Sequence, residues 1–249
     1  MVACLSPVTE HTWTLTMASI VAGAIASVTG FGIGSILTPT LSLWIDGRLA
    51  VALVAIPHVI GTAVRFAMVK GQVDRRVLLR FGLASAAGGL AGALFHGYAS
   101  GPRLMLLLAM LLLFVSASEL TGLARRMRFT GTTAWMAGIL SGLLGGLVGN
   151  QGGIRSAALL GFGLSRDAFV ATATAIALFV DGARLPVYLA TSGADLWAHR
   201  NAVLIASAGV VAGTIAGARV LRRIPESIFR RIVAIVLAIL GAALLVRAS

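Results

Sequence analysis

The chain is poor in the groups that most enzymes rely on. Its 249 residues include eight carboxylates, four histidines, two tyrosines and one cysteine, Cys4. A single cysteine excludes an intramolecular disulfide. There is no HExxH, no Cys/His cluster at zinc-ligand spacing, no GxSxG and no Walker loop, and no two carboxylates share an apolar segment where they could divide acid and base roles. These gaps point away from an enzyme, and no cofactor or metal is expected. Charged residues are scarce too, at 11% against about 25% in soluble domains. The net charge of +12 comes from Lys and Arg scattered through short loops rather than one basic stretch, so nucleic acid is not the expected partner. Met1 to Thr12 carries Glu10 and no Lys or Arg, unlike the basic start of a cleaved signal peptide.

Hydrocarbon fills the remainder, with 58% of residues hydrophobic. Apolar runs of about 20 residues, the length of a membrane-crossing helix, recur with short polar gaps. They predict an all-α membrane protein whose main partner is the lipid bilayer. Five segments are expected at about 13–29, 33–44, 49–69, 77–97 and 103–122, and five more at about 132–148, 154–164, 168–190, 200–221 and 227–246. The two sets share a pattern of lengths. A constant offset aligns Gly23 with Gly142, Gly30 with Gly149, Gly34 with Gly153 and Arg65 with Arg184. This reads as an internal repeat, with residues 1–124 as the first unit and 125–249 as the second, together forming one transmembrane domain.

The second segment of each set is too short to cross ~30 Å of hydrocarbon. It either extends the preceding segment as a broken crossing or turns back as a re-entrant hairpin. Loop charges favour the hairpin, with three full crossings per unit and the second unit inverted. One face then collects Lys70, Arg75, Arg76, Arg80, Arg125, Arg126, Arg128, Arg166, Arg222, Arg223, Arg230 and Arg231, and the other keeps only Arg48, Arg103, Arg200 and Arg247. That asymmetry follows the cytoplasmic bias of Lys and Arg and puts both termini outside. Trp13, Trp44, Trp135, Trp197, Tyr98 and Tyr188 fall near segment ends and are expected in the headgroup region. Glu119 and Arg219 lie within about a turn of segment ends and are expected to snorkel. The spacings Gly88–Gly92, Gly142–Gly146, Gly145–Gly149 and Gly209–Gly213–Gly217 predict close helix packing.

The stretch "GLVGNQGGIRSAALL" places polar residues where lipid offers no water. Backbone freed at Gly149–Gly153 must line a cavity or touch protein. Arg155 falls in the first turn of the returning half-helix, whose amides are already partly positive, and it lies farther from the interface than its side chain can reach. An anion resolves this conflict: Gly152, Gly153 and Arg155 would hold oxyanion oxygens, while Asn150 and Gln151 orient the rest of the ligand. Hydrogen bonding of Arg155 to carbonyls is the structural alternative. "VTGFGIGSILTPTL" supplies a second break with Gly30, Gly32, Gly34, Ser35 and Pro39, serving either ligand contact or backbone packing. His58, Thr62 and Arg65 share one helix face beside Pro57, and Asp181 and Arg184 are spaced to pair. Arg65 or Arg184 would complete the positive field, and His58 or Asp181 would carry a coupled proton or act in gating. A bundle-locking salt bridge at Asp181 and Arg184, and Arg65 reaching the headgroups, are the plainer readings.

With these residues assembled, the chain resembles the sulfite exporter TauE/SafE family, also called the toluene-sulfonate uptake permease family. The likeness rests on Gly30, Gly32, Gly34 and Pro39, on Gly149, Asn150, Gln151, Gly152 and Gly153, and on "DGARLPVYL" from Asp181 to Leu189. It implies a secondary transporter of small sulfur-containing anions, built from two inverted units, in a bacterial cytoplasmic membrane. The chain departs from the family pattern in the second break, where Ala157 and Ala158 stand in place of a proline and "GNQGG" replaces a plainer glycine run. An anion channel, or a membrane-embedded subunit of a larger complex, is the alternative reading, and a homo-oligomer is compatible with the sequence.

Overall fold

The computed structural model describes residues 11–123, 129, 131–220 and 225–248. Cys4, Glu10, Arg125, Arg126, Arg128, Arg222 and Arg223, and the boundary between 124 and 125, lie outside the described residues. Among the described residues ten helices follow in order, besides a 3-10 turn at Lys70–Gln72: α1 Thr12–Thr29, α2 Ile33–Ser42, α3 Gly47–Val69, α4 Arg75–His96, α5 Gly101–Leu120, α6 Gly131–Val148, α7 Gly152–Leu160, α8 Arg166–Ala198, α9 Arg200–Val220 and α10 Glu226–Ala248. Eight of them are long and apolar enough to cross a membrane. The two that are not, α2 and α7, have 10 and 9 residues, a rise of only about 15 Å at 1.5 Å per residue.

Helix is the expected outcome in a bilayer, where each backbone N–H and C=O must find a partner within its own segment. The outer surface matches that solvent. Leu79, Leu83, Leu94, Met110, Ile139, Leu204 and Ile239 all point outward, exposed apolar side chains that water would penalise and lipid accepts. Caps mark several aqueous ends. Asp46 accepts the Arg48 and Leu49 amides at 2.9 and 3.4 Å, Asp74 accepts Val77 N–H at 2.9 Å, and Ser165 accepts Ala168 N–H at 3.3 Å. The starts of α2 and α7, at Gly32 and Gln151, have no such side-chain cap.

Segment boundaries agree with the sequence to within a few residues, with one marked exception. Expected to end near residue 190, α8 runs 33 residues to Ala198, passing through Pro186. This corrects the placement of Tyr188. It lies in the middle of a long helix, fully buried, and donates its hydroxyl proton to the Gly146 carbonyl rather than sitting among headgroups. Trp13, Tyr98 and Trp197 are strongly exposed, Trp135 is exposed, and Trp44 is half-buried and stacked on His11. Glu119 is also corrected: it forms a two-pronged pair with Arg230, at 2.7 and 2.9 Å, joining α5 to α10. Arg219 is exposed. The helix α3 continues unbroken through Pro57, and α4 contains a π-helical turn at Leu78–Gly82.

The helices pack by exchange between the two halves: α1 lies along α9, α6 along α4, α5 along α10 and α3 along α8. Small residues set the separations. On α6, a Cβ at Gly142 or Gly146 would run into the carbonyls of Ser85 and Gly89 of α4, and on α4 one at Gly88 or Gly92 would meet Ile139 and Leu143 of α6. In the other pair, Gly23 of α1 abuts Val210, while Gly213 and Gly217 of α9 abut Ile20 and Ala24. With lipid on every side, contact of this kind, not water exclusion, holds the helices together. A methyl at Gly142 must force backbones apart, so Gly142→Ala is expected to cost about 1–3 kcal/mol and lower the melting temperature in detergent by several degrees, at about 2–4 °C per kcal/mol. Gly193 has open space around its Cα, and Gly193→Ala is expected to leave the melt unchanged or slightly raised.

Candidate functional site

Both breaks turn on a glycine with positive φ, Gly30 at 79° and Gly149 at 73°, which ends one helix and lets the chain reverse into a short one. The two turns touch. Gly34 presses its Cα against the Gly149 carbonyl, Ser35 Oγ donates to Asn150 Oδ1 at 2.9 Å, and the Thr38 hydroxyl faces Gly149. Gly152 lies against the Phe31 side chain, and Arg155 Nη2 donates to the Gly30 carbonyl at 3.2 Å. The N-termini of α2 and α7 therefore converge on one buried spot, and their uncapped amides bring two positive dipole ends together.

Arg155 adds a full charge at that spot. It is 1% exposed, and its Nε and Nη1 make no hydrogen bond. Gln151 is also buried, and neither atom of its side-chain amide has a partner, while its backbone carbonyl accepts from Ser141 Oγ at 2.9 Å. Unpaired buried donors or acceptors each cost about 1–3 kcal/mol, and more when charged. A cavity-free protein core would not retain four such atoms in two neighbouring side chains.

A second network leans on the same glycines. The His58 ring edge touches Gly34, and its Nδ1 lies 2.8 Å from Asp181 Oδ2. Asp181 Oδ1 accepts from Arg184 Nε at 3.0 Å and faces Arg184 Nη2 at 2.8 Å, and Arg184 Nη1 donates to the Gly145 carbonyl at 2.6 Å. Thr62 Oγ1 stands 3.5 Å from His58 Nδ1. Gly145 is a hub: its carbonyl receives Arg184, and the space beside its Cα is filled by Gln151. Arg65 does not extend to headgroups. It is 3% exposed, and its Nε and Nη1 donate to Thr174 Oγ1 at 2.9 Å and the Ala26 carbonyl at 2.7 Å.

The sequence offset recurs in these contacts. Arg65 and Arg184 each cap the carbonyl four residues before the left-handed glycine of their own half, Ala26 before Gly30 and Gly145 before Gly149. Of the twelve candidate positions, Gly34, Ser35, Asn150, Gln151, Gly152 and Arg155 form the meeting point, and His58, Asp181 and Arg184 the adjoining network. Arg65 sits to one side. Gly32, with φ 131°, packs on Ile25, and Gly153 faces Val115 of α5.

Charge does not balance here. Three guanidinium groups, Arg65, Arg155 and Arg184, are fully buried, and Asp181 is the one buried carboxylate among the described residues. Asp181 offsets Arg184, which leaves Arg65 and Arg155 uncompensated. Beside the meeting point a small vestibule, with a cavity volume of about 90 Å³, reaches in between α5 and α10. Val28, Thr29, Phe31, Val115, Ser156, Phe169, Leu237 and the Glu119–Arg230 pair line it. None of the twelve candidates does. Three contributors escaped the sequence reading. Tyr188 was masked by the misjudged end of α8, while Phe31 and Thr174 look like ordinary apolar-segment residues, with no spacing to single them out.

Removing one member of a buried ion pair leaves the other charge stranded. Asp181→Asn is therefore expected to destabilise the protein by about 3–5 kcal/mol. Adding Arg184→Met should recover part of that loss, so the double variant melts above Asp181→Asn alone. A double variant that melts lower still would contradict the pairing.

The family model described as Sulfite exporter TauE/SafE matches residues 15–244 of the chain. No curated protein and no solved structure matches.

Proposed function

The chain belongs to the sulfite exporter TauE/SafE family, and from that premise we propose that it is a secondary transporter moving a small sulfur-containing anion, such as sulfite, a sulfonate or a sulfoacetate-like molecule, by alternating access across a bacterial cytoplasmic membrane. One observation carries this reading: Arg155, buried with two donor nitrogens unpaired, stands where two uncapped helix N-termini meet. Helix N-termini and guanidinium groups are the standard means of holding oxyanions, and broken helices at mid-depth are where transporters hold cargo. In this reading Arg155 and the amides of Gly152 and Gly153 grip the oxyanion. Asn150 and Gln151 orient the rest of the molecule, and Gly32, Gly34 and Ser35 form the facing lip. Arg65 and Arg184 raise the positive potential without touching the cargo.

The halves 1–124 and 125–249 are read as inverted repeats. Supporting this are the loop-charge asymmetry, the exchange of helix partners between halves, and the matched arginine caps on Ala26 and Gly145. The loops near residues 70–80, 122–131 and 221–231 are then cytoplasmic and both termini outside. The His58–Asp181 contact supplies a titratable bridge between α3 and α8, and in this proposal it couples a proton to the cycle.

The test is a melting screen of the purified protein with sulfite, sulfoacetate, taurine and simple carboxylates. A ligand present at 100 times its Kd adds about 2.7 kcal/mol, which corresponds to a rise of about 5–10 °C. The rise is expected for the wild type and lost in Arg155→Ala. No stabilising anion, or equal stabilisation of the variant, would overturn the assignment. Coupling is read in proteoliposomes: an imposed pH gradient should speed flux of the stabilising anion and should no longer do so in His58→Gln. Flux indifferent to the gradient in the wild type would remove the proton from the mechanism.

A further inference from the structure

Phe31 stands between the vestibule and the convergence of α2 and α7. It forms part of the vestibule wall. Its Cβ, Cγ and Cδ2 also occupy the space that a side chain at position 152, the first residue of α7, would need. Behind it, Gln151 and Arg155 are 4% and 1% exposed, and neither reaches the vestibule. The apolar ring is thus what a molecule in the vestibule meets before the polar break.

The backbone at Phe31 is suited to movement. Gly30 and Gly32 flank it with φ of 79° and 131°, both in the left-handed region where glycine alone rotates at little cost. Backbone bonds hold its two ends, Gly30 N–H to the Ala26 carbonyl at 3.0 Å and Ile36 N–H to the Gly32 carbonyl at 3.1 Å, and two side chains tether its middle. The Thr29 hydroxyl accepts the Phe31 N–H at 3.2 Å and donates to the Phe31 carbonyl, and Arg155 Nη2 holds the Gly30 carbonyl at 3.2 Å. The second tether is a single contact on a neutral carbonyl, at the long end of the N–H···O range. An oxyanion seated on the unpaired Nε and Nη1 draws the guanidinium toward itself and so loosens the chain on which the ring is mounted.

We infer that Phe31 is a gate, hinged at Gly30 and Gly32, which shuts the vestibule off from the Gln151–Arg155 pocket and is released when an anion draws Arg155 from the Gly30 carbonyl. The release step rests on the proposed role of Arg155 as anion ligand, whereas the barrier does not. The ring excludes water from the uncompensated charge while the site is empty, and the vestibule marks the side toward which it opens. That side adjoins the ends of α5 and α10 near residues 120 and 226, the cytoplasmic face in the proposed orientation.

Accessibility tests the gate without any transport assay. Cys4→Ser removes the only native thiol. In that background Gln151→Cys reports the pocket and Arg166→Cys the vestibule mouth, where the native residue is exposed, each labelled with methyl methanethiosulfonate, whose neutrality removes any effect of local charge on the reagent. With Phe31 in place, Arg166→Cys should label readily and Gln151→Cys slowly. Adding Phe31→Ala should speed Gln151→Cys about tenfold or more, as expected if the open form is populated at about 10% or less, and leave Arg166→Cys unchanged. Phe31→Trp should keep the slow rate. Adding Arg155→Ala, which cuts the tether, should also raise the Gln151→Cys rate with Phe31 intact.

If Gln151→Cys labels as fast as Arg166→Cys with Phe31 present, there is no barrier and the proposal falls, whatever the other variants do. It falls equally if Phe31→Ala, shown to be monodisperse, leaves the slow rate unchanged. Should Phe31→Ala not fold, Phe31→Leu takes its place under the same criterion with an intermediate rate expected. An unchanged rate in Arg155→Ala overturns the tether. All of these outcomes are independent of the melting screen, so failure of the gate and failure of the anion site are read separately.

Discussion

Everything in this molecule bends around positive charge that cannot leave. Arg65, Arg155 and Arg184 are all enclosed, and placing a guanidinium at mid-membrane costs about 2.5–3.5 kcal/mol on insertion scales, with far higher values from simulation. The protein manages each differently. Arg184 is neutralised by Asp181 and capped by Gly145, and Arg65 is shared between a hydroxyl and a carbonyl. Arg155 receives a single carbonyl, at long distance. A sequence selected only for stability would have completed that third set of contacts or replaced the residue with leucine. Leaving it incomplete is sensible if the missing partner comes and goes.

The broken helices are the second half of that arrangement. A continuous helix hides its amides, and only an interrupted one presents them at mid-depth. Interrupting a helix inside lipid exposes backbone, so the break must be walled in by other helices. Here the same glycine-lined packing performs that task on both sides. Gly146 lets α6 approach α4 closely and Gly145 leaves room for the Gln151 side chain, and their carbonyls receive Tyr188 and Arg184. Small residues that read as packing in the sequence thus also furnish the acceptors that fix the charged network. Packing and chemistry use opposite faces of one turn.

How much of this was legible in advance depended on range. Segment limits follow from hydropathy, a property of each residue and its neighbours, and these were placed within a few residues for nine of the ten elements. The exception, α8, ends in "TSGADLWA", polar enough to resemble a loop, yet the helix runs through it to Ala198. That error moved Tyr188 from core to surface. Asp181 with Arg184 was legible because three residues on a helix is a local distance. Ser35 with Asn150, His58 with Asp181 and Glu119 with Arg230 span more than a hundred residues, and composition carries no record of them. Glu119 looked like an isolated end-of-helix acid for that reason.

The two halves also show where a repeat stops being a constraint. Gly30 with Gly149, and Ala26 with Gly145 beneath the matched arginines, keep the same roles in both. Elsewhere the roles diverge. Arg184 has Asp181 beside it, whereas the equivalent place in the first half is Thr62, which leaves Arg65 without a carboxylate. Ile36 stands where Arg155 would map, and Pro39 where the second half has Ala158. The two breaks share a backbone turn, and the cation sits in one while the other is neutral. Under the proposed function that asymmetry gives one cargo site at the centre instead of two competing ones, because the neutral break offers amide dipoles to an anion drawn in by Arg155. The contrast of Asn150 and Gln151 with Phe31 and Gly32, their counterparts at the same offset, belongs to the same division: under the proposed function the polar lip binds and the apolar one gates.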